Sequence, residues 1–290
     1  MRALTRPAPR VRLVACAVAV AAALAACPAH AQRLAPIVYI VRAPQPATHQ
    51  AQVEATVPTE RRDSVELMMA VWTPGFYREE RYATRLHDIA VRAPDGTSLR
   101  VTQPAPNRWR IFTGRRPAVV VTYQVTSQER SVTTNWVDDT LAVLNGAPTF
   151  VTLADGASRP HEVHLELAGL WKRSMTSLAP APDGKPNHYR ARDYDELVDS
   201  PIVAGDLDVR EFTVDGSRHY LVSAGDMGVW NGARAARNLA TIVEQHRRFR
   251  ERFWPPAQRR PGLGSPATPE RRRGLHRPST RGRSRRVQDE

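Results

Sequence analysis

The stretch His161-Glu-Val-His-Leu-Glu-Leu167 alternates between polar and apolar side chains. Its apolar members are Val163, Leu165 and Leu167, and Glu162, His164 and Glu166 stand between and before them. Residues i and i+2 of a β-strand point to the same face of a sheet. The alternation therefore predicts a strand with one face towards a core and the other towards water.

Five more segments are rich in β-branched and aromatic residues: Ile37–Val41, Val65–Val71, Trp109–Phe112, Val119–Val125 and Tyr220–Val222. Turn-forming pairs and triplets separate them: Pro94-Asp-Gly96, Asp155-Gly156, Asp183-Gly184 and Asp215-Gly216. Short strands at this spacing, with almost no helical periodicity, predict a mainly β fold, an antiparallel β-sandwich. We assign it to residues 32–225, which are enough for one hydrophobic core.

The period of the pattern changes from Trp230 onward. Apolar and aromatic residues recur there at intervals of three and four, as in Ala236, Leu239, Ala240, Ile242, Val243, His246 and Phe249. This spacing predicts one amphipathic helix within residues 226–254. Asn231 is a suitable N-cap, and Pro255-Pro256 is a suitable end.

The first 31 residues have the features of an export signal. Four arginines precede an apolar run of 14 residues, Leu13–Ala26, and Ala29-His-Ala31 provides a cleavage site before Gln32. The run is short for a membrane-spanning helix. Leu24-Ala-Ala-Cys27 also fits a lipoprotein signal, with lipid attached at Cys27. We therefore expect a periplasmic or secreted protein, or a membrane-anchored lipoprotein if the second cleavage is used.

The two cysteines, Cys16 and Cys27, both lie in this leader. A chain cut before Gln32 has no thiol, and hence no disulfide, cysteine nucleophile or thiolate metal site.

The formal net charge of +13 belongs mostly to the ends of the chain. Residues 1–31 carry +4, residues 32–254 carry +2, and residues 255–290 carry +7. The last segment has ten arginines and few aliphatic residues, which predicts a disordered basic tail. It has no aromatic residues for stacking on bases, so we expect no specific nucleic-acid partner. Binding of anionic polymers through this tail is one alternative function, and a shifted reading frame in GC-rich DNA is another explanation of its composition.

Four motifs carry a resemblance to a known family: Trp72-Thr-Pro-Gly75, Asn107-Arg-Trp109, Val119-Val-Val-Thr-Tyr123 and Asp193-Tyr-Asp-Glu-Leu-Val-Asp-Ser-Pro-Ile202. Taken singly, the first is a turn and the last is a solvated acidic loop. In this order, and continued through Gly205, His219 and Ile242-Val243, they resemble the glycyl aminopeptidase family of zinc metallopeptidases over about residues 36 to 254.

That family has an N-terminal all-β domain, a thermolysin-like catalytic domain and a PDZ domain. The resemblance implies that this chain holds the N-terminal domain only, with residues 226–254 as the first helix of a truncated catalytic domain. It also implies that the loop of Asp199, Ser200 and Pro201 binds substrate. Two departures concern this loop and the first motif: Val203 stands where the family often has an acidic residue, and Phe76 where it has a small one.

Zinc aminopeptidase chemistry requires a His-Glu-x-x-His motif and a third ligand. The 290 residues contain no such motif. The nearest string, His161-Glu-Val-His164, is one residue too short, and a strand would place its two histidines on opposite faces. We therefore expect no catalytic residue, metal site or cofactor in this chain; zinc belongs to intact family members.

The resulting prediction is an exported N-terminal β-domain, inactive alone. Its expected partner is a peptide substrate or a separate catalytic domain. The alternatives are a subunit of a split zinc aminopeptidase, or a binder of anionic polymers through the basic tail.

Overall fold

The computed structural model describes residues 34–76, 78–156, 158–225 and 227–253. These ranges contain seventeen strands and two α-helices. The strands are β1 (Ile37–Arg42), β2 (Gln50–Pro58), β3 (Ser64–Met69), β4 (Leu86–Arg92), β5 (Val101–Ala105), β6 (Arg108–Phe112), β7 (Ala118–Thr126), β8 (Trp136–Val137), β9 (Leu141–Leu144), β10 (Val151–Leu153), β11 (His161–Leu165), β12 (Arg173–Thr176), β13 (Ala179–Pro180), β14 (His188–Ala191), β15 (Ile202–Gly205), β16 (Asp208–Val214) and β17 (Ser217–Ser223). The helices are α1 (Tyr194–Val198) and α2 (Gly232–Phe253). Single 3-10 turns occupy Pro46–Thr48, Tyr82–Arg85 and Met227–Val229.

Three sheets enclose one core. The largest has the order β13-β14-β11-β1-β2-β7-β4, and two four-stranded sheets have the orders β10-β3-β6-β5 and β12-β15-β9-β8. All strand pairs within these sheets are antiparallel except β1 with β11, which is parallel. Side chains from all three sheets, such as Tyr39, Leu67 and Leu144, are buried together. The mainly β, antiparallel prediction is confirmed.

The alternation that predicted β11 is confirmed residue by residue. Val163 and Leu165 are buried, whereas Glu162 and His164 are partly exposed on the opposite face. The strand ends at Leu165, two residues earlier than the pattern suggested. His161 is fully buried, so the two histidines of His161-Glu-Val-His164 do point away from one another.

The acidic segment after β14 is not a plain solvated loop, because its centre forms the short helix α1. Asp193 is the N-cap and accepts a hydrogen bond from the backbone N–H of Glu196. Tyr194 and Leu197, three residues apart and hence on one face of the helix, are buried. The apolar residues between the acidic ones therefore decide the local structure.

The fourth sheet is the hairpin of β16 and β17, which packs with α2. Asp215 and Gly216 both have positive φ, 47° and 77°, as the two-residue turn of a hairpin requires. Asn231 caps α2, since its Oδ1 accepts from the N–H of Arg234 at 2.9 Å. Arg247 of α2 forms an ion pair with Asp215. We call β16, β17 and α2 together the hairpin–helix unit.

Several predictions lie outside the described residues: the leader with Cys27, the end of α2 at Pro255-Pro256, and the basic tail. None of the helices in the described ranges combines the length and the apolar character needed to cross a membrane.

Candidate functional site

The predicted substrate loop, residues 199–201, lies at the C-terminal end of α1. Asp199 is the C-cap residue, and its N–H donates to the carbonyls of Asp195 and Leu197. Its carboxylate is exposed and has no hydrogen bond or ion pair with any described residue. Pro201 is also exposed, whereas Ser200 is 6% exposed and accepts a hydrogen bond from the Ser177 hydroxyl at 2.9 Å. The surface of the loop is therefore formed by Asp199 and Pro201, with Ser200 turned inward.

Two hydrogen bonds between side chains and backbone N–H groups stabilise the start of α1. Asp193 Oδ1 accepts from Glu196 N at 2.8 Å, and Glu196 Oε2 accepts from Arg192 N at 2.7 Å. The first of these bonds satisfies an N–H group that the first helical turn leaves without a partner, and the second holds the Glu196 side chain against the residue before the N-cap. The four acidic residues of this segment therefore differ in their contacts. Asp193 and Glu196 form hydrogen bonds at the start of the helix, whereas Asp195 and Asp199 are exposed to solvent.

Beneath α1 runs a fully buried segment, residues 145–150, which we call the inner segment. Gly146 touches the helix backbone so closely that an added Cβ would lie 2.3 Å from the carbonyl oxygen of Leu197 and 2.6 Å from Cα of Val198. Only a residue without a side chain fits there. The contact with the inner segment therefore fixes the position of α1, and the position of α1 fixes that of the Asp199–Pro201 loop.

Polar side chains hold the inner segment in place. Asn135 Nδ2 donates to Thr149 Oγ1 at 2.8 Å, and Asn135 Oδ1 accepts from Asn145 N at 2.8 Å. Thr149 Oγ1 donates to the carbonyl of Asn145 at 2.5 Å, and Asn145 Nδ2 donates to the carbonyl of Thr134. Buried amides and hydroxyls are costly unless they are paired in this way.

Three buried tyrosines bind the adjoining backbone. The hydroxyls of Tyr39, Tyr123 and Tyr194 donate to the carbonyls of Val151, Thr149 and Phe150, at 2.7, 2.9 and 2.9 Å. Burial raises the pKa of all three hydroxyls, so they remain protonated donors. Tyr194 is the first residue of α1, and its hydrogen bond ties the helix to the core.

His161 lies in the same cluster. Its Nε2 is 2.9 Å from Thr152 Oγ1, and its ring is stacked 6.0 Å from that of Tyr39. Burial, with a smaller contribution from the charge of Arg159, lowers the pKa of His161 to about 4, although the backbone of Arg159 and the charge of Asp193 act in the opposite direction. The ring is therefore neutral near pH 7 and acts as a core residue.

The Trp72-Thr-Pro-Gly75 motif forms a tight turn after β3. Phe76 N donates to the Thr73 carbonyl at 3.0 Å, and Gly75 has φ of 80°, a value that favours glycine. Thr73 Oγ1 is 2.7 Å from the hydroxyl of Tyr82, and the Trp72 side chain is 52% exposed.

The inner segment was not predicted from the sequence. Its sequence Asn145-Gly-Ala-Pro-Thr-Phe150 contains Asn-Gly and Pro, which signal a turn, but no local rule shows that it is buried. Among the described residues, no three or more His, Cys, Asp or Glu side chains form a group that could hold a metal ion.

Comparison with known proteins gives the family. The Peptidase M61 N-terminal domain family matches residues 38–206, and this chain belongs to it. An aminopeptidase N family protein from Idiomarina loihiensis has a similar structure, with 28% identity and a TM-score of 0.67 over 74% of this chain. This chain covers 37% of that protein.

An M1 zinc metallopeptidase from Deinococcus radiodurans shows a weaker similarity, with 14% identity and a TM-score of 0.40. It covers 69% of this chain, which in turn covers 49% of that protein. A comparison with curated protein sequences finds no match.

Proposed function

We propose that this chain is the exported N-terminal β-domain of a glycyl-aminopeptidase-like M61 metallopeptidase, without the zinc-binding catalytic part and inactive alone. The family match over residues 38–206 supports the domain assignment. The missing His-Glu-x-x-His motif supports the lack of catalysis. The described residues offer no fit for a catalytic zinc ion, so we assign no step of hydrolysis to this chain.

The observation that carries this proposal is the exposed apolar surface of the hairpin–helix unit. Eleven large apolar residues are exposed in the described ranges, and six of them belong to this unit or to the connection between β17 and α2: Tyr220, Val229, Trp230, Ile242, Phe249 and Phe253. A two-stranded hairpin is marginally stable by itself, and clustered exposed apolar residues indicate an interface. The unit therefore has the properties of the edge of a larger domain, and we assign that role to a catalytic domain.

In this arrangement the loop of Asp199, Ser200 and Pro201, at the C-terminal end of α1, faces the substrate. The unpaired carboxylate of Asp199 is suited to the protonated amino group of a peptide, and Trp72 offers an exposed aromatic surface on the turn after β3. Ser200 supports the loop from inside through its hydrogen bond with Ser177.

A direct test is hydrolysis by the purified full-length chain. We expect no release of p-nitroaniline from glycyl or alanyl p-nitroanilide, with or without added Zn²⁺. Turnover that copurifies with the chain and depends on Asp199 would overturn the proposal. Export is tested by expression with residues 1–31 intact, followed by cell fractionation and mass analysis of the mature N-terminus, which distinguishes Gln32 from lipidated Cys27.

The second candidate, a subunit of a split zinc aminopeptidase, rests on the same exposed surface. It predicts that a separately expressed M61 catalytic domain binds this chain and that the complex hydrolyses the glycyl substrate. Phe249→Ser should then abolish the complex, whereas Arg250→Ser, at an exposed position one residue away, should not. A complex without activity would leave the first proposal in place and refute the second.

A further inference from the structure

The outer edge of β17 is open. β17 pairs only with β16, and the two strands form a sheet of their own. Within the described part of the chain, no backbone group outside this hairpin forms a hydrogen bond with the backbone of Ser217–Ser223. The helix α2 packs mainly against β16. An open strand edge of this kind is a template for pairing with another strand.

The register of the hairpin determines which backbone groups of β17 point to the open edge. Val214 and Ser217 flank the two-residue turn and lie opposite one another, and the residues that flank such a turn share a hydrogen bond. Opposed pairs along an antiparallel ladder alternate between those that exchange hydrogen bonds and those that do not. Every second residue from Ser217 onward therefore bonds β16. The N–H and C=O groups of Arg218, Tyr220 and Val222 point outward.

These outward groups match those of a second copy of the same strand. When two β17 strands run antiparallel with Tyr220 opposite Tyr220, Arg218 of each copy lies opposite Val222 of the other. Each of these opposed pairs then exchanges two backbone hydrogen bonds. The two-fold axis passes between the tyrosines, so both copies use the same surface and the contact is closed.

The side chains suit this register. On one face the Tyr220 side chains, 43% exposed in the single chain, lie directly opposite one another, and aromatic cross-strand pairs are stabilising. On the other face His219 lies opposite Leu221 of the second copy. The two Arg218 residues are four positions apart along the strands, roughly 14 Å, which exceeds the screening length of about 8 Å in physiological salt. The pairing therefore opposes no like charges.

The edge of β16 does not offer the same contact. Its outward backbone groups belong to Val209, Glu211 and Thr213, the residues opposite the outward ones of β17. Pairing of two β16 strands about Glu211 would oppose two carboxylates, which is destabilising. β17 has none of the usual protections of an edge strand, because it contains no Pro or Lys and pairs with β16 without a bulge.

The geometry of the hairpin–helix unit leaves room for this contact. In the resulting four-stranded sheet the two β16 strands are outermost, three strand spacings or roughly 14 Å apart. The α2 helices lie over β16, and packed helices are only about 8–10 Å apart, so the two helices do not collide. A two-stranded sheet is marginally stable, and the pairing doubles its number of strands.

We propose that two copies of this chain associate through their β17 strands, in a two-fold contact centred on Tyr220. Of the six exposed apolar residues that we assigned to the contact with a catalytic domain, only Tyr220 belongs to this contact. The association therefore goes beyond the proposed function and does not rest on it.

The first test is sedimentation velocity of the purified full-length chain over a range of concentrations, and we expect a monomer–dimer equilibrium. Tyr220→Pro removes the outward N–H at the centre of the contact. It should raise the dissociation constant about tenfold or more, because each copy loses one hydrogen bond. Glu211→Pro is the matched control: Glu211 lies opposite Tyr220 in the hairpin, and its N–H points to the other edge. This variant should dimerise as the wild type does, and circular dichroism confirms that both variants are folded.

The second test fixes the register by cross-linking in a chain whose Cys16 and Cys27 are replaced by serine. Tyr220→Cys places two thiols on opposed residues with Cα atoms about 5.5 Å apart, a separation that a disulfide spans. Arg218→Cys places them roughly 14 Å apart. We expect a disulfide-linked dimer from the first variant and none from the second.

Three results would overturn the proposal: a chain that stays monomeric at every concentration, equal weakening by the two proline substitutions, or equal cross-linking of the two cysteine variants. Association that Phe249→Ser abolishes and Tyr220→Pro leaves intact also overturns it, and assigns the contact to α2.

Discussion

Replacing Gly146 with alanine should displace α1 and with it the loop of Asp199. The new Cβ would lie 2.3 Å from the carbonyl oxygen of Leu197, whereas an ordinary contact is 3.4 Å or longer. The helix must therefore move by about 1 Å, because the atoms in contact belong to its backbone and cannot rotate away. The φ of Gly146 is outside the left-handed region, so alanine suffers from lack of space and not from its own backbone.

Overpacking of a buried site costs about 1–3 kcal/mol, and we expect the upper end, about 3 kcal/mol, since the inner segment is held by paired polar groups on its other side. For a domain of this size that lowers Tm by about 6–12 °C. The assays are urea unfolding followed by tryptophan fluorescence and hydrogen exchange of the α1 amides. We expect faster exchange at Leu197 and Asp199, whose N–H groups donate to Asp193 and Asp195.

Gly184→Ala is the matched control. A Cβ there meets no atom within 4 Å, and only the φ of 67° is unfavourable, so the cost should be about 1 kcal/mol with no change in α1. If Gly146→Ala proves no more destabilising than this control and leaves exchange in α1 as it was, the inner segment does not position the loop.

Three further predictions concern stability. The pKa of His161 is lowered from 6.5 to about 4 in the folded state, so the unfolded chain takes up the proton first as the pH falls. The free energy of unfolding should therefore fall by about 3 kcal/mol between pH 6.5 and 4 and stay constant at lower pH. The urea midpoint should fall over the same pH range in the wild type, and this pH dependence should be absent in His161→Gln. Asn231→Ala should destabilise α2 by about 1 kcal/mol through loss of its cap, measured by hydrogen exchange; Asn238→Ala, inside the same helix, should not destabilise it. Arg159→Met should lower the free energy of unfolding by about 2 kcal/mol, because it removes a buried, charge-assisted hydrogen bond. Arg192 also forms an ion pair, but its side chain is 80% exposed, so Arg192→Met should change the free energy of unfolding by less than about 0.5 kcal/mol.

These predictions fail in distinct ways. A pH slope that persists in the His161 variant assigns the titration to another group. Equal effects of the two asparagine substitutions would mean that the cap contributes nothing, and equal effects of the two arginine substitutions would mean that burial of the Arg159 ion pair is irrelevant to its strength.

Local patterns predicted much of the secondary structure. β1, β7 and β11 were found within one or two residues of their ends, α2 begins directly after the predicted N-cap Asn231, and the Asp215-Gly216 turn was placed correctly. Period, turn chemistry and capping are properties of short windows of sequence, which is why they could be recognised without the fold. α1 was missed because five residues are too short for a helical period to show.

The motifs of the candidate site could be recognised in the sequence, but the buried residues that position them could not. Asp199, Ser200 and Pro201 were singled out from resemblance alone, and whether they contact substrate stays a prediction. Gly146 and the tyrosine hydroxyls that bind the backbone of residues 149–151 could not be found, since each acts on a backbone group that is remote in sequence. Tyr39 and Val151, for example, are 112 positions apart.

The sequence by itself determined that short strands form one core, that a capped amphipathic helix follows them, and that no His-Glu-x-x-His motif is present. Only the tertiary structure decided that β1 pairs with β11 in parallel, that Gly146 lies under α1, and that His188 stands opposite His164. The physical reason is the range of the interactions. Periodicity and capping act between residues a few positions apart, whereas strand register depends on the combined packing of segments that the chain brings together only when it folds.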